Sequence, residues 1–184
     1  EEETISKFNR FEINKKDFNE LKKSFKNKIV LISGAAGSIG SQFSKDIFKY
    51  NFNIKKIIFF DKDENMLTEL NRELLLFKNF RKINREFVCS DLNSMDINDI
   101  LFKDKVQFYL NFAAVKHVRS EENIQSIKYM FKTNSINFVP RKLMNLKKIF
   151  SISTDKTVNP SSILGVSKHL MEMNLSKYKN KNIF

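Results

Sequence analysis

Three of the four glycines in this 184-residue chain fall within one heptad, Gly34-Ala35-Ala36-Gly37-Ser38-Ile39-Gly40. Glycines at that spacing permit a tight turn, let backbone approach an anion closely, and bring a following helix against its strand. The amides that open such a helix, here around Ser38, Ile39 and Gly40, suit a pyrophosphate. An ordinary turn is the bland alternative, but the use of so scarce a residue argues for a dinucleotide. Asp61 follows about twenty residues later, where a carboxylate accepts both hydroxyls of an adenosine ribose and repels a 2′-phosphate. NAD is therefore favoured over NADP, with Lys55, Lys56 and Lys62 nearby tempering the preference. Asp91 would suit an adenine amino group or simply form a turn. A second cluster, Ser153-Thr154-Asp155-Lys156, is followed by Lys168. Adjacent Asp155 and Lys156 offer an acid and a base in one place. Lys168 can bind a nicotinamide ribose and lower the pKa of a neighbouring hydroxyl by its charge. A capped loop with an exposed ion pair is the alternative there.

These residues need a scaffold, and the hydrophobic pattern supplies one. Apolar runs at 28–33, 56–61, 86–90, 106–112 and 148–153 read as buried strands. Between them, 41–50, 64–77, 96–102, 124–144 and 162–178 carry helical spacing, with an interruption expected at Pro140. Fivefold alternation predicts an α/β Rossmann-type doubly wound parallel sheet, whose right-handed crossovers place all strand C-termini along one edge. Gly34–Gly40, Asp61, Asp91, Ala113–Lys116 and Ser153–Lys156 all fall at that edge. Residues 1–27 are charged and weakly periodic, with Phe18, Leu21 and Phe25 on a short amphipathic turn or two. They read as a lead-in to a domain spanning 28–184.

Composition narrows the field. The formal charge of +12 comes from lysine spread along the whole chain. That suits solvated faces and attraction to phosphate-rich ligands or an anionic membrane surface, and no specific nucleic-acid partner is expected. No run of about 18 apolar residues appears, so no membrane span is expected. The single cysteine, Cys89, excludes an internal disulfide and reads as a core filler. His117 and His169 lack metal-ligand spacing, so no metal is expected.

Taken together, Gly-Ala-Ala-Gly-Ser-Ile-Gly-Ser (34–41), Ala-Ala-Val-Lys-His-Val (113–118), Lys-Thr-Asn (132–134), Ser-Thr-Asp-Lys-Thr-Val-Asn-Pro (153–160) and Gly165-Val166-Ser167-Lys168 run in a telling order. Over about residues 28–175 the chain resembles the polysaccharide-biosynthesis branch of the extended short-chain dehydrogenase/reductases, typified by UDP-N-acetylglucosamine 4,6-dehydratases. The resemblance implies bound NAD(P)+ that takes hydride from sugar C4 and returns it to C6. It implies Lys156 as the base at C5 and Asp155 as the acid at the C6 hydroxyl. Thr154 would hydrogen-bond the 4-oxygen, and Lys168 would position the cofactor ribose.

Ala113 and Ala114 permit close approach of the dinucleotide. Lys116 and Asn159 are expected to contact the UDP-sugar, while His117 caps a helix, orients Lys116 or simply packs. A homo-oligomer is expected. Three departures stand out, the first being that the stretch 134–147 is several residues shorter than the family's helix, with Pro140 inside it. Leu164 occupies the place of the usual tyrosine, and the C-terminal sugar-nucleotide lobe is missing, so the chain reads as a partial domain. A 4-epimerase or dehydrogenase of the same fold, or a non-catalytic NAD-binding module, are the rival readings. Phe8-Asn9-Arg10-Phe11-Glu12 faintly resembles the segment that joins a membrane-embedded N-terminal part to the catalytic domain. That implies a cytoplasmic place, at the inner face of the membrane.

Overall fold

The computed structural model describes residues 13–94, 97–117, 122–138 and 145–178. Asn14 caps the first helix, α1 (Lys15–Phe25), by accepting from the Asp17 amide at 2.9 Å. At three turns this helix is longer than its weak periodicity suggests, because its apolar residues find tertiary partners. The ring of buried Phe25 lies 5.0 Å from that of Phe108 and 5.4 Å from that of Phe52. Phe8–Glu12 lies outside the described residues.

Strands β1 (Ile29–Ser33), β2 (Lys56–Asp61), β3 (Asn84–Cys89), β4 (Phe108–Asn111) and β5 (Lys148–Ser151) pair entirely in parallel, in the order β3-β2-β1-β4-β5. Helices α2 (Ser38–Lys49), α3 (Glu64–Leu74), α4 (Ile97–Lys103) and α5 (Ile124–Phe131) link them, and α6 (Ile163–Ser176) follows β5. Alternate strand residues feed two cores. Val30, Ile57 and Phe59 meet Phe25, Ile47 and Leu70 on one face. On the other, Leu31, Ile58 and Tyr109 meet Leu101, Phe138 and Met171. This is the expected doubly wound sheet, with β1 at the point where the chain turns from one side to the other.

The local differences have tertiary causes. β4 is shorter than expected because the Val106 amide closes the end of α4 on the Leu101 carbonyl. Cys89 is exposed and no core filler: β3 is an edge strand, and its last residue faces solvent. The helix after β4 widens at Lys132–Ile136 into a π turn, closed by the Asn137 amide on the Lys132 carbonyl at 2.8 Å. Pro140, the expected interruption, lies outside the described residues.

Candidate active site

The glycine loop shapes a cleft of about 310 Å³ along the C-terminal sheet edge. Gly34 has φ +68°, and a Cβ on it would run into the backbone of Phe112 and Ala113. A Cβ on Gly40 would strike the Gly34 carbonyl, so this glycine lets α2 approach β1. Gly37 differs. A Cβ there would meet only the Gly34 carbonyl, at 3.4 Å, so what glycine keeps clear is the cleft. No side chain caps α2 and no acid lies in its first turn. Its first amides therefore keep their partial positive charge where Gly37, Ser38, Ile39 and Gly40 line the wall. This cradle fits a pyrophosphate.

Asp61 and Asp91 line the same cleft, and both already hold backbone. Asp61 accepts from the Ala36 amide at 2.9 Å, fastening the glycine loop to β2, and from the Asp63 amide at 3.2 Å. Asp91 accepts from the Asn93 amide at 2.7 Å and from the Tyr129 hydroxyl at 2.6 Å. Partial burial opposes ionisation of Asp91, yet the Tyr129 and Asn93 hydrogen bonds outweigh it and hold the carboxyl below its ordinary value. Tyr129, also in the cleft wall, carries no motif that sequence reasoning could have used.

Ala113, Ala114 and Lys116 form the opposite lining, with His117 exposed just beyond. Their loop is held by buried Asn134, whose side chain accepts from the Val115 amide and donates to the Val115 carbonyl, both at 2.9 Å. The same amide donates to Ser167 Oγ at 3.0 Å. The π turn thus fastens the β4 loop to α6. Asn134 belongs to the Lys-Thr-Asn segment that sequence reading singled out, but its clamp on Val115 was not foreseen.

Thr154, Asp155, Lys156, Lys168 and Asn159 lie outside the cleft lining, beyond the end of β5, next to the β4 edge that forms it. Thr154 accepts from the Lys156 amide at 3.4 Å and donates to Asp155 Oδ1 at 3.0 Å. Lys156 Nζ stands 3.7 Å from Asp155 Oδ1 in an exposed ion pair. The Thr154 hydrogen bond and the Lys156 charge hold the Asp155 carboxyl below its ordinary value. Asn159 is exposed.

Lys168 is 5% exposed and donates to the Ile152 carbonyl at 2.8 Å. Burial pushes its pKa down to about 8, against a partial pull upward from Glu172. One turn further along α6, Glu172 accepts from Ser153 Oγ at 2.5 Å, so this helix grips two successive residues of the β5 end. Gly165 is required by packing: a Cβ there would lie 2.6 Å from the Lys156 carbonyl. Leu164 stands half-buried in the first turn of α6. Among the described residues no group of three His, Cys, Asp or Glu could hold a metal, and no helix is long and apolar enough to cross a membrane.

A family model described as polysaccharide biosynthesis protein matches residues 30–183. An uncharacterized membrane protein of Methanocaldococcus jannaschii is 32% identical over 180 residues, covering 91% of this chain and 50% of that protein. A UDP-N-acetylglucosamine 4,6-dehydratase (inverting) of Campylobacter jejuni is 28% identical over 148 residues, covering 78% of this chain and 41% of the enzyme. Among solved structures, a UDP-glucuronic acid 4-epimerase from Bacillus cereus in complex with NAD matches with a TM-score of 0.64 at 20% identity. That match covers 84% of this chain and 54% of the epimerase, and it is a likeness of fold. The chain spans half or less of the length of these two curated relatives.

Proposed function

This chain belongs to the polysaccharide biosynthesis protein family, and on that premise we propose that it is the cofactor-binding part of a nucleotide-sugar 4,6-dehydratase of the UDP-N-acetylglucosamine type. The observation that carries the reading is the Asp155–Lys156 pair, presented on a Thr154-capped turn at the sheet edge that also forms the dinucleotide cleft. Gly34, Gly37 and Gly40 with the first amides of α2 would hold the pyrophosphate, Asp61 the ribose hydroxyls and Asp91 the adenine. NAD is favoured over NADP because a 2′-phosphate would face Asp61. A bound dinucleotide would supply a reversible hydride acceptor for oxidation at sugar C4 and reduction at C6.

The protein's own part is proton management. Oxidation at C4 acidifies the C5 proton, and Lys156 as a free amine would take it. Asp155 as a free acid would give a proton to the C6 hydroxyl, which leaves as water. The exposed pair stands in the opposite protonation state, as an ion pair. Covering it with a sugar nucleotide penalises both charges, so a proton passing from Lys156 to Asp155 produces the base and the acid together. Thr154 would hydrogen-bond the 4-oxygen and Lys168 would hold the nicotinamide ribose, while Lys116 and Asn159 would meet the UDP-sugar. An epimerase or simple dehydrogenase would want a phenol where Leu164 stands.

The exposed stripe Val166, Leu170 and Met173 on α6 (37%, 38% and 52%) supports a homo-oligomer. A cytoplasmic place at the cytoplasmic face of the inner membrane is part of this reading, and the archaeal relative, described as a membrane protein, is in keeping with a membrane association. Domain limits of 28–184, with α1 as a lead-in, complete the reading.

The test is incubation of the complete protein with UDP-N-acetylglucosamine in deuterated water. A 4-keto-6-deoxy product carrying deuterium at C5 is expected, and Lys156→Ala should abolish it while sparing NAD affinity. Intact NAD binding without product sinks the dehydratase reading.

A further inference from the structure

The loop after β3 is tied to one face of the α5 segment by residues spaced four apart. Tyr129 donates to Asp91 Oδ2 at 2.6 Å, Asn93 donates to Thr133 Oγ1 at 2.7 Å, and Asn137 donates to Asn93 Oδ1 at 2.7 Å. The two Asn93 bonds tie the loop to the helix. The Tyr129 bond is additional, and it lands on the one loop carboxylate that lines the cleft. Lys62, from the end of β2, lies with its ammonium 5.3 Å from the Tyr129 ring centroid and 3.4 Å from the hydroxyl. The phenol is therefore steadied from both sides, and Asp91 receives one donor on each oxygen, from Tyr129 and from the Asn93 amide. A carboxylate so held is fastened in one orientation by a donor on each oxygen, and its remaining lone pairs can only accept.

We propose that Tyr129 is a positioning residue for purine recognition: by holding Asp91 as a fixed acceptor, it makes the cleft select a base with an exocyclic amino group over one with a carbonyl at the same place. The inference rests on the reading of Asp91 as the adenine contact. An amino group donates to the fixed carboxylate, whereas a carbonyl oxygen would face it acceptor to acceptor. Discrimination of this kind is strong when the polar group in the site has no freedom to adapt. A Phe at position 129 would keep the ring over which Lys62 lies and remove only the hydroxyl.

Calorimetric titration of the purified protein with NAD and with nicotinamide hypoxanthine dinucleotide tests this. The unaltered protein should prefer NAD by about tenfold or more, the worth of one hydrogen bond to a charged group. Tyr129→Phe should narrow the ratio to about twofold, chiefly by weakening NAD, with its melting temperature showing that it remains folded. A folded Tyr129→Phe protein that keeps the full ratio overturns the role of Tyr129 and leaves the adenine reading standing. Equal affinity of the unaltered protein for both ligands overturns the adenine reading and this inference with it. Failure to bind either ligand overturns the dinucleotide reading altogether. Should Tyr129→Phe not fold, monofluorotyrosine at that position keeps the shape and is a stronger donor. It should shift the ratio, and an unchanged ratio overturns the inference.

Discussion

Gly37→Ala separates the two jobs of the glycine loop. The backbone at Gly37 has φ −65° and ψ 165°, open to any residue, and an added Cβ has only the Gly34 carbonyl as a neighbour, at 3.4 Å. Alanine is a poorer N-cap than glycine by somewhat under ~1 kcal/mol, and the reduced freedom of the unfolded chain returns about 0.4–1 kcal/mol. Net stability should therefore stay within about 1 kcal/mol of the unaltered protein. Binding should respond differently, because Gly37 lines the cleft and an added methyl would crowd the place where the pyrophosphate would meet the α2 amides. Losing one charge-assisted hydrogen bond is worth about 1.5–3 kcal/mol, a weakening of roughly 10- to 150-fold in Kd. Gly34→Ala and Gly40→Ala serve as contrasts, since each drives a Cβ into backbone and should unfold the protein or lower its Tm sharply. Thermal melts and NAD calorimetry on the three variants decide the matter. Unchanged NAD affinity in Gly37→Ala refutes the pyrophosphate assignment, and a melt as poor as that of Gly34→Ala refutes the division of roles.

Lys168 should make stability pH-dependent in an unusual direction. Its folded pKa of about 8 lies below the ordinary 10.5, so between those values the unfolded chain binds the extra proton and stability rises with pH. The gain should be of order 3 kcal/mol. Denaturant melts from pH 7 to pH 10 should show it, and Lys168→Met should flatten the profile; equal slopes in both proteins would exclude the effect. Gly165→Ala should push the Lys156 turn away from α6, lowering kcat far more than NAD affinity, to be read by steady-state kinetics beside calorimetry. Asn134→Ala leaves the half-buried Val115 amide without its acceptor and should cost about 1–3 kcal/mol in denaturant melts. It should also loosen the Ala113–Lys116 wall, seen as faster amide exchange at Val115.

Much of the scaffold was legible because its causes are local. A strand such as Ile29–Ser33 is written in consecutive apolar residues, and the turn that follows is written in glycine. The alternation of such strands with helices leaves few topologies once right-handed crossovers are required, so the sheet edge and the residues along it followed from the sequence. The tight turn and the close helix–strand approach expected of the glycine loop as a whole fall to Gly34 and Gly40, and Asp61 and Asp91 line one cleft.

What the sequence could not show depends on partners far away along the chain. Tyr129 meets Asp91 across 38 positions and Asn134 meets Ser167 across 33, and neither pairing leaves a periodic trace. Cys89 looked buried because its neighbours are apolar, but exposure is decided by which strand ends at the sheet edge. Lys168 could be placed on a helix, yet only packing of α6 against β5 determined that its ammonium is buried on the Ile152 carbonyl, with its pKa lowered. The sequence by itself determined the glycine turn between β1 and α2, since turn, strand and helix starts are set by nearby residues. Tertiary structure alone decided how firmly each site residue is held and how its surroundings bear on it, because desolvation and hydrogen bonding arise only when separate elements close on one another.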